Sequence, residues 1–160
     1  MNKFRLLAAV FVAVMLASSQ SMAARALNFN VVLTGDQEVP PVATDTIGRI
    51  LIHINRSHTQ LRFRLDVVDG TDALGVAGAH LHCAPAGENG PVITFLAGPF
   101  SPGYSGHFEI RATLTDDNIS GDTDCGSNID ELVDAILAGN VYANVHTPAN
   151  PGGEIRGQVE

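Results

Sequence analysis

An all-β fold is what this 160-residue chain predicts: an antiparallel β-sandwich or barrel carrying one short helix. Three observations lead there. Apolar residues recur at every second position through most of the chain. Clusters of Gly, Pro, Asn and Asp separate those stretches. A single segment switches to helical spacing.

The alternation identifies the strands in order. Leu27, Phe29, Val31 and Leu33 share one face of the first. Ile50, Ile52 and Ile54 form the inward set of the second. From Leu61 to Val67 apolar and charged residues alternate without a break, which marks a strand with one face on a core and one in water. Ala79-His80-Leu81-His82 reads as a strand, and Val92 to Leu96 is a shorter apolar run. Phe108, Ile110, Ala112 and Leu114 then alternate with Glu109, Arg111 and Thr113. Val141, Ala143 and Val145 alternate with Tyr142, Asn144 and His146, and Ile155, Gly157 and Val159 close the chain. The helix is read from Ile129, Leu132, Val133, Ile136 and Leu137. Asn128 is its expected N-cap, Glu131 the capping-box partner, and Gly139 the stop. Turns fall at Val39-Pro40-Pro41, Asp69-Gly70, Glu88-Asn89-Gly90-Pro91, Pro102-Gly103 and Asn150-Pro151-Gly152-Gly153.

Composition narrows the function. The chain has 45% hydrophobic residues, enough for one core and too many for disorder. Nine Lys+Arg against seventeen Asp+Glu give a formal charge of -8, which argues against nucleic acid as a partner. With no Trp, two Tyr and seven Phe, a stacking platform for bases or sugars is not expected.

Residues 1–23 read as a signal peptide. Lys3 and Arg5 precede the apolar run from Leu6 to Ala17, and Ser21-Met22-Ala23 offers small residues for cleavage. That run makes about 18 Å of helix, too short for a hydrocarbon core of ~30 Å. Cleavage removes two cations and no acid, taking the charge from -8 to -10. No transmembrane segment is expected afterwards. Residues 27–160 are expected to form one domain in a secreted or periplasmic protein. In that setting Cys83 and Cys125 are most simply one disulfide, an entropic gain of roughly 4 kcal/mol. The competing reading makes Cys83, beside His82, a soft metal ligand.

His80 and His82 are the most suggestive residues. Two positions apart on a strand, they point the same way about 6.6 Å apart along it, and can converge on one ion. His146 is a candidate third ligand if its strand neighbours theirs. Three imidazoles without a thiolate suit copper or zinc. His53, His58 and His107 look like ordinary outward-facing residues. Glu154 and Arg156 lie two apart on the last strand and are expected to form a structural ion pair. The sharper alternative makes Glu154 a carboxylate that orients a histidine ligand. Glu38 begins a stiff segment ahead of Pro40 and Pro41. No nucleophile elbow, phosphate loop or dinucleotide fingerprint is present, and no catalytic or cofactor-binding residue is assigned.

Four ordered stretches resemble the CHRD domain, first described in chordin and also found alone in secreted bacterial proteins. They are Leu33-Thr34-Gly35-Asp36-Gln37-Glu38-Val39-Pro40-Pro41-Val42; Ala79-His80-Leu81-His82 with Gly87-Glu88-Asn89-Gly90-Pro91-Val92; Gly139 to Thr147; and Asn150 to Gln158. The resemblance implies an immunoglobulin-like β-sandwich related to the Cu,Zn superoxide dismutase fold. His80 and His82 are similar to that enzyme's copper strand, with His146 as a later ligand. Its zinc subloop and a fourth copper histidine have no counterpart here, so dismutase activity is not expected. The expectation is therefore an exported, non-catalytic module that binds a protein or small ligand or serves the envelope. The alternative is a copper- or zinc-binding protein.

Overall fold

The computed structural model describes residues 25–68, 75–120 and 123–160. The expected signal peptide, residues 1–23, lies outside them. Among the described residues, eight strands form two antiparallel sheets. One has the order β1-β2-β3-β6, built from β1 (Leu27–Leu33), β2 (Ile47–Ile54), β3 (Leu61–Val68) and β6 (His107–Leu114). The other has the order β5-β4-β7-β8, from β5 (Val92–Ala97), β4 (Gly78–Cys83), β7 (Val141–His146) and β8 (Ile155–Gln158). This is the all-β sandwich that the alternation predicts.

The core lies between the sheets. Ile50, Ile52, Ile54, Leu61, Leu65 and Val67 meet Ala79, Leu81, Ile93, Ala143, Val145 and Ile155 in one buried cluster. Expectation and structure part on β6. Phe108 and Leu114 are buried, but Ile110 is half-buried and Ala112 exposed, because β6 is an edge strand that the opposite sheet covers only in part.

The helix α1 (Ile129–Leu137) sends Ile129, Leu132, Val133 and Ile136 into the same core. Asn128 caps it, its side-chain oxygen accepting from the Glu131 N–H (2.9 Å). The Glu131 carboxylate does not close the expected capping box on the Asn128 backbone N–H. It accepts from the Ser127 N–H (2.7 Å) and hydroxyl (3.1 Å). Asp116 caps the Ile129 N–H at 2.9 Å. At the far end Gly139 takes φ +76°, and the N–H groups of Gly139 and Asn140 close back on Ile136 and Ala135. Cys83 and Cys125 form the expected disulfide, tying the end of β4 to the segment before α1.

The two outer faces differ. On β1-β2-β3-β6 the outer face carries exposed charge, with Arg64 bridging Asp66 (2.8 Å) and Glu109 (2.9 Å). On β5-β4-β7-β8, loops cover the outer face, so that β7 is buried along nearly its whole length on both sides.

Candidate metal centre

Alternation on β4 turns Ala79 and Leu81 into the core and His80 and His82 outward. The neighbouring β7 does the same with Val145 inward and His146 outward. The register sets Gly78 opposite His146, His80 opposite Asn144 and His82 opposite Tyr142. His146 is therefore diagonal to His80, within reach of a long side chain. On its other side β4 shifts register against β5 at Ala79/His80 and again at Leu81/His82. Such irregularities re-aim side chains beside functional sites.

The three imidazoles meet. Ring centroids lie 4.7 Å apart for His80 and His146, 5.5 Å for His80 and His82, and 5.9 Å for His82 and His146. One nitrogen from each lies within 4.8 Å of those offered by the other two. Hydrogen bonds settle which nitrogens are available. His82 Nδ1 is 3.0 Å from the Gly90 carbonyl, and His146 Nδ1 is 2.9 Å from the Pro151 carbonyl. A carbonyl only accepts, so each Nδ1 carries the proton and each Nε2 keeps its lone pair. Both Nε2 atoms, and Nδ1 of His80, are buried without a hydrogen-bond partner.

Electrostatics favours the neutral, ligating form. Burial pushes His80 down to about 4, with His146 and His82 adding like-charge repulsion. Burial also lowers His82 and His146, against the opposing pull of the Gly90 and Pro151 carbonyls. Unpartnered buried lone pairs are costly in an apolar setting. Two such lone pairs and the unpartnered Nδ1 of His80, on rings gathered within ligand reach of one another, make a donor set that suits a borderline metal ion. Neither cysteine can join, since both sulfurs are in the disulfide.

The surrounding polar residues hold the loops that hold the histidines. Tyr142 stacks on His82 at 4.9 Å and 11°. Arg156 lies over the Tyr142 ring, 3.4 Å from its centroid, and donates to the carbonyls of Glu88 (2.7 Å) and Pro85 (3.1 Å). Glu154 accepts from the Thr147 hydroxyl (2.7 Å) and the Asn150 amide (2.6 Å). The expected Glu154–Arg156 ion pair is thus replaced. Each side chain pins a different loop: Arg156 the loop bearing Gly90, Glu154 the turn bearing Pro151. Loop carbonyls took the guanidinium and loop donors took the carboxylate, in place of the neighbour two residues away.

Sequence reasoning missed Tyr142, Asn144 and most of the role of Glu38. Glu38 is buried and accepts from the Asn144 amide at 2.7 Å. The signal available was Tyr142, Asn144 and His146 in one outward phase. What covers that phase is set by distant loops. Among the other histidines, His58 bonds Asp130 (2.8 Å) and His53 bonds Asn28 (2.8 Å), away from the trio. His107 lies near Asp66 and Glu109, but those carboxylates are engaged by Arg64 and Arg111.

Fold and site together define a two-sheet β-sandwich domain with a three-histidine cluster on one covered face. A family model, CHRD domain, matches residues 29–159, and the chain belongs to the CHRD domain family. No curated protein and no solved structure matches it.

Proposed function

We propose that this chain is an exported CHRD module that binds one copper or zinc ion through His80 Nδ1, His82 Nε2 and His146 Nε2. The observation that carries the reading is a cluster of three imidazoles within ligand reach of one another, each with a buried ring nitrogen that has no partner. It favours the metal-binding alternative over a scaffold without a metal, because a purely structural face leaves those lone pairs unsatisfied. Imidazole donors without thiolate suit both metals, and copper(II) binds such sets more tightly than zinc. A bound ion supplies Lewis acidity and, as copper, one-electron chemistry. The chain's own residues orient the rings and keep them neutral. Export is supported by the signal-like leader and the disulfide. No helix of the described residues is long and apolar enough to cross a membrane.

The test is metal content after dialysis of the untagged protein against copper or zinc. One equivalent is expected in the wild type and none in His82→Ala, with circular dichroism unchanged. No stoichiometric metal, or metal indifferent to the substitution, overturns the reading.

A further inference from the structure

We infer that the outer face of β1-β2-β3-β6 docks on an anionic lipid surface. The inference is independent of the metal reading. Its first support is the placing of charge. These four strands carry four arginines, Arg49, Arg62, Arg64 and Arg111, and two acids, Asp66 and Glu109, in a chain whose formal charge is -8. All six point outward, since Ile50, Ile52, Phe63, Leu65, Val67 and Phe108 take the alternate positions in the core. Arg64 bridges both acids, and Arg111 shares Glu109 at 2.8 Å. The side chains of Arg49 and Arg62 make no ion pair or hydrogen bond among the described residues. Those two unmatched cations leave a net charge of +2 on one face of an acidic chain.

The second support is apolar. Val32, Ile47, Leu51 and Val68, between 38% and 56% exposed, share that face. Ile47 stands opposite Val68 and Val32 opposite Arg49, while Ile47 and Leu51 flank Arg49 along β2. Arg49 thus has aliphatic neighbours on three sides and Asp66 on the fourth. A guanidinium set among exposed aliphatics suits a surface that is anionic outside and hydrocarbon beneath. Binding there adds apolar burial to electrostatic attraction. Toward the other end a depression of about 420 Å³ is lined by Asn30, Leu51, His53, Arg62 and Arg64, among others, and offers a headgroup phosphate two guanidiniums. An acidic polymer would use the arginines and leave the aliphatics in water. A second copy docked through the same face would press two faces of net positive charge together. Acids elsewhere on the chain do not cancel the attraction. The sheets stand ~10 Å apart, and screening acts within ~8 Å at about 0.15 M salt.

The experiment uses the untagged chain, expressed with its own N-terminal segment, which all variants share. Circular dichroism checks that each variant is folded. Co-sedimentation is measured with vesicles of phosphatidylcholine alone and of phosphatidylcholine mixed equally with phosphatidylglycerol. At about 0.15 M salt the mixed vesicles are expected to bind roughly tenfold more tightly, a difference lost at about 1 M salt. Arg49→Ser is expected to weaken that binding about fivefold. Arg56→Ser, in the turn after β2, removes the same charge away from the strands and is expected to change it less than about twofold. Ile47→Thr with Val68→Thr keeps β-branched side chains in the strands and is expected to weaken it roughly threefold or more. No preference for the mixed vesicles, or equal losses from Arg49→Ser and Arg56→Ser, overturns the assignment of this face. Binding that ignores the threonine pair, with soluble poly-glutamate competing as well as the vesicles do, replaces lipid by an acidic polymer. A dimer that the threonine pair dissociates, without vesicle binding, gives the face to a second copy instead.

Discussion

At the residue scale the most constrained position is Gly90. Its carbonyl accepts from His82 Nδ1, and its N–H donates to the Tyr142 hydroxyl at 3.3 Å. A Cβ there would stand 1.8 Å from the Cys83 carbonyl oxygen. Any side chain must therefore push the loop off the sheet and release the His82 ring. Partners that orient metal ligands are worth about 10–100-fold in affinity. Gly90→Ala is expected to lower copper or zinc affinity by at least tenfold in a chelator competition, with the fold intact. Unchanged affinity would show that the Gly90 carbonyl does not position the ligand. Glu38 supplies a second test, through pH. Burial raises its carboxyl above the ordinary 4.5, against the opposing pull of Asn144 and Arg156. The folded chain thus keeps that proton to a higher pH than the unfolded chain. Its stabilising effect is full below 4.5 and is lost as pH rises through the folded value. Glu38→Gln cannot ionise. Its melting temperature relative to wild type is expected to be lowest near pH 4 and to climb toward pH 7. A difference that stays flat with pH would contradict the burial-raised carboxyl.

At the scale of elements, β4 does the positioning. Its central place between β5 and β7 gives His80 and His82 neighbours on both sides, and the disulfide fastens its last residue. Replacing Cys83 and Cys125 with Ser is expected to cost about 2–4 kcal/mol in denaturant unfolding. A loss well below 1 kcal/mol would mean that the crosslink constrains little. Much of this level was legible in the chain itself. Alternation located most of the strands because each has an apolar face on the core, β5 showing only as an apolar run, and Asn128 and Gly139 marked the limits of α1. Ala112 broke the pattern because edge position, which depends on sheet order, is not written in local alternation. Phase alone put His80, His82 and His146 on outward faces. Their convergence needed the β4–β7 register, and the burial of that face needed loops from residues 84–91 and 147–153. Turn residues announced those loops as turns without saying where they land. The same gap explains Glu154 and Arg156, whose shared side was readable and whose loop partners were not.

At the scale of the molecule, the sandwich is lopsided. One outer face is an exposed charged ladder and the other is a loop-covered layer of polar side chains. Hydrogen bonds between Thr34 and Arg156, at 3.0 and 3.1 Å, link the end of β1 to β8 and fix that layer to the rest of the fold. An ion held there binds the folded state alone, so its affinity becomes stability: about 2.7 kcal/mol when the free ion is at 100 times Kd. Thermal unfolding with and without excess zinc is expected to show a rise in midpoint for wild type and none for His82→Ala. An equal rise in both would place the ion elsewhere.

His82 and Cys83 are consecutive, so the disulfide and the histidine cluster share one stretch of backbone. A newly made polypeptide still bearing thiols presents arriving copper with a softer anchor one residue from the imidazoles. Once the sulfurs have joined, nitrogen donors alone remain on that strand. Under the proposed metal binding and export, the order of the two events would select the coordination chemistry, with passage through an oxidising compartment as the timer.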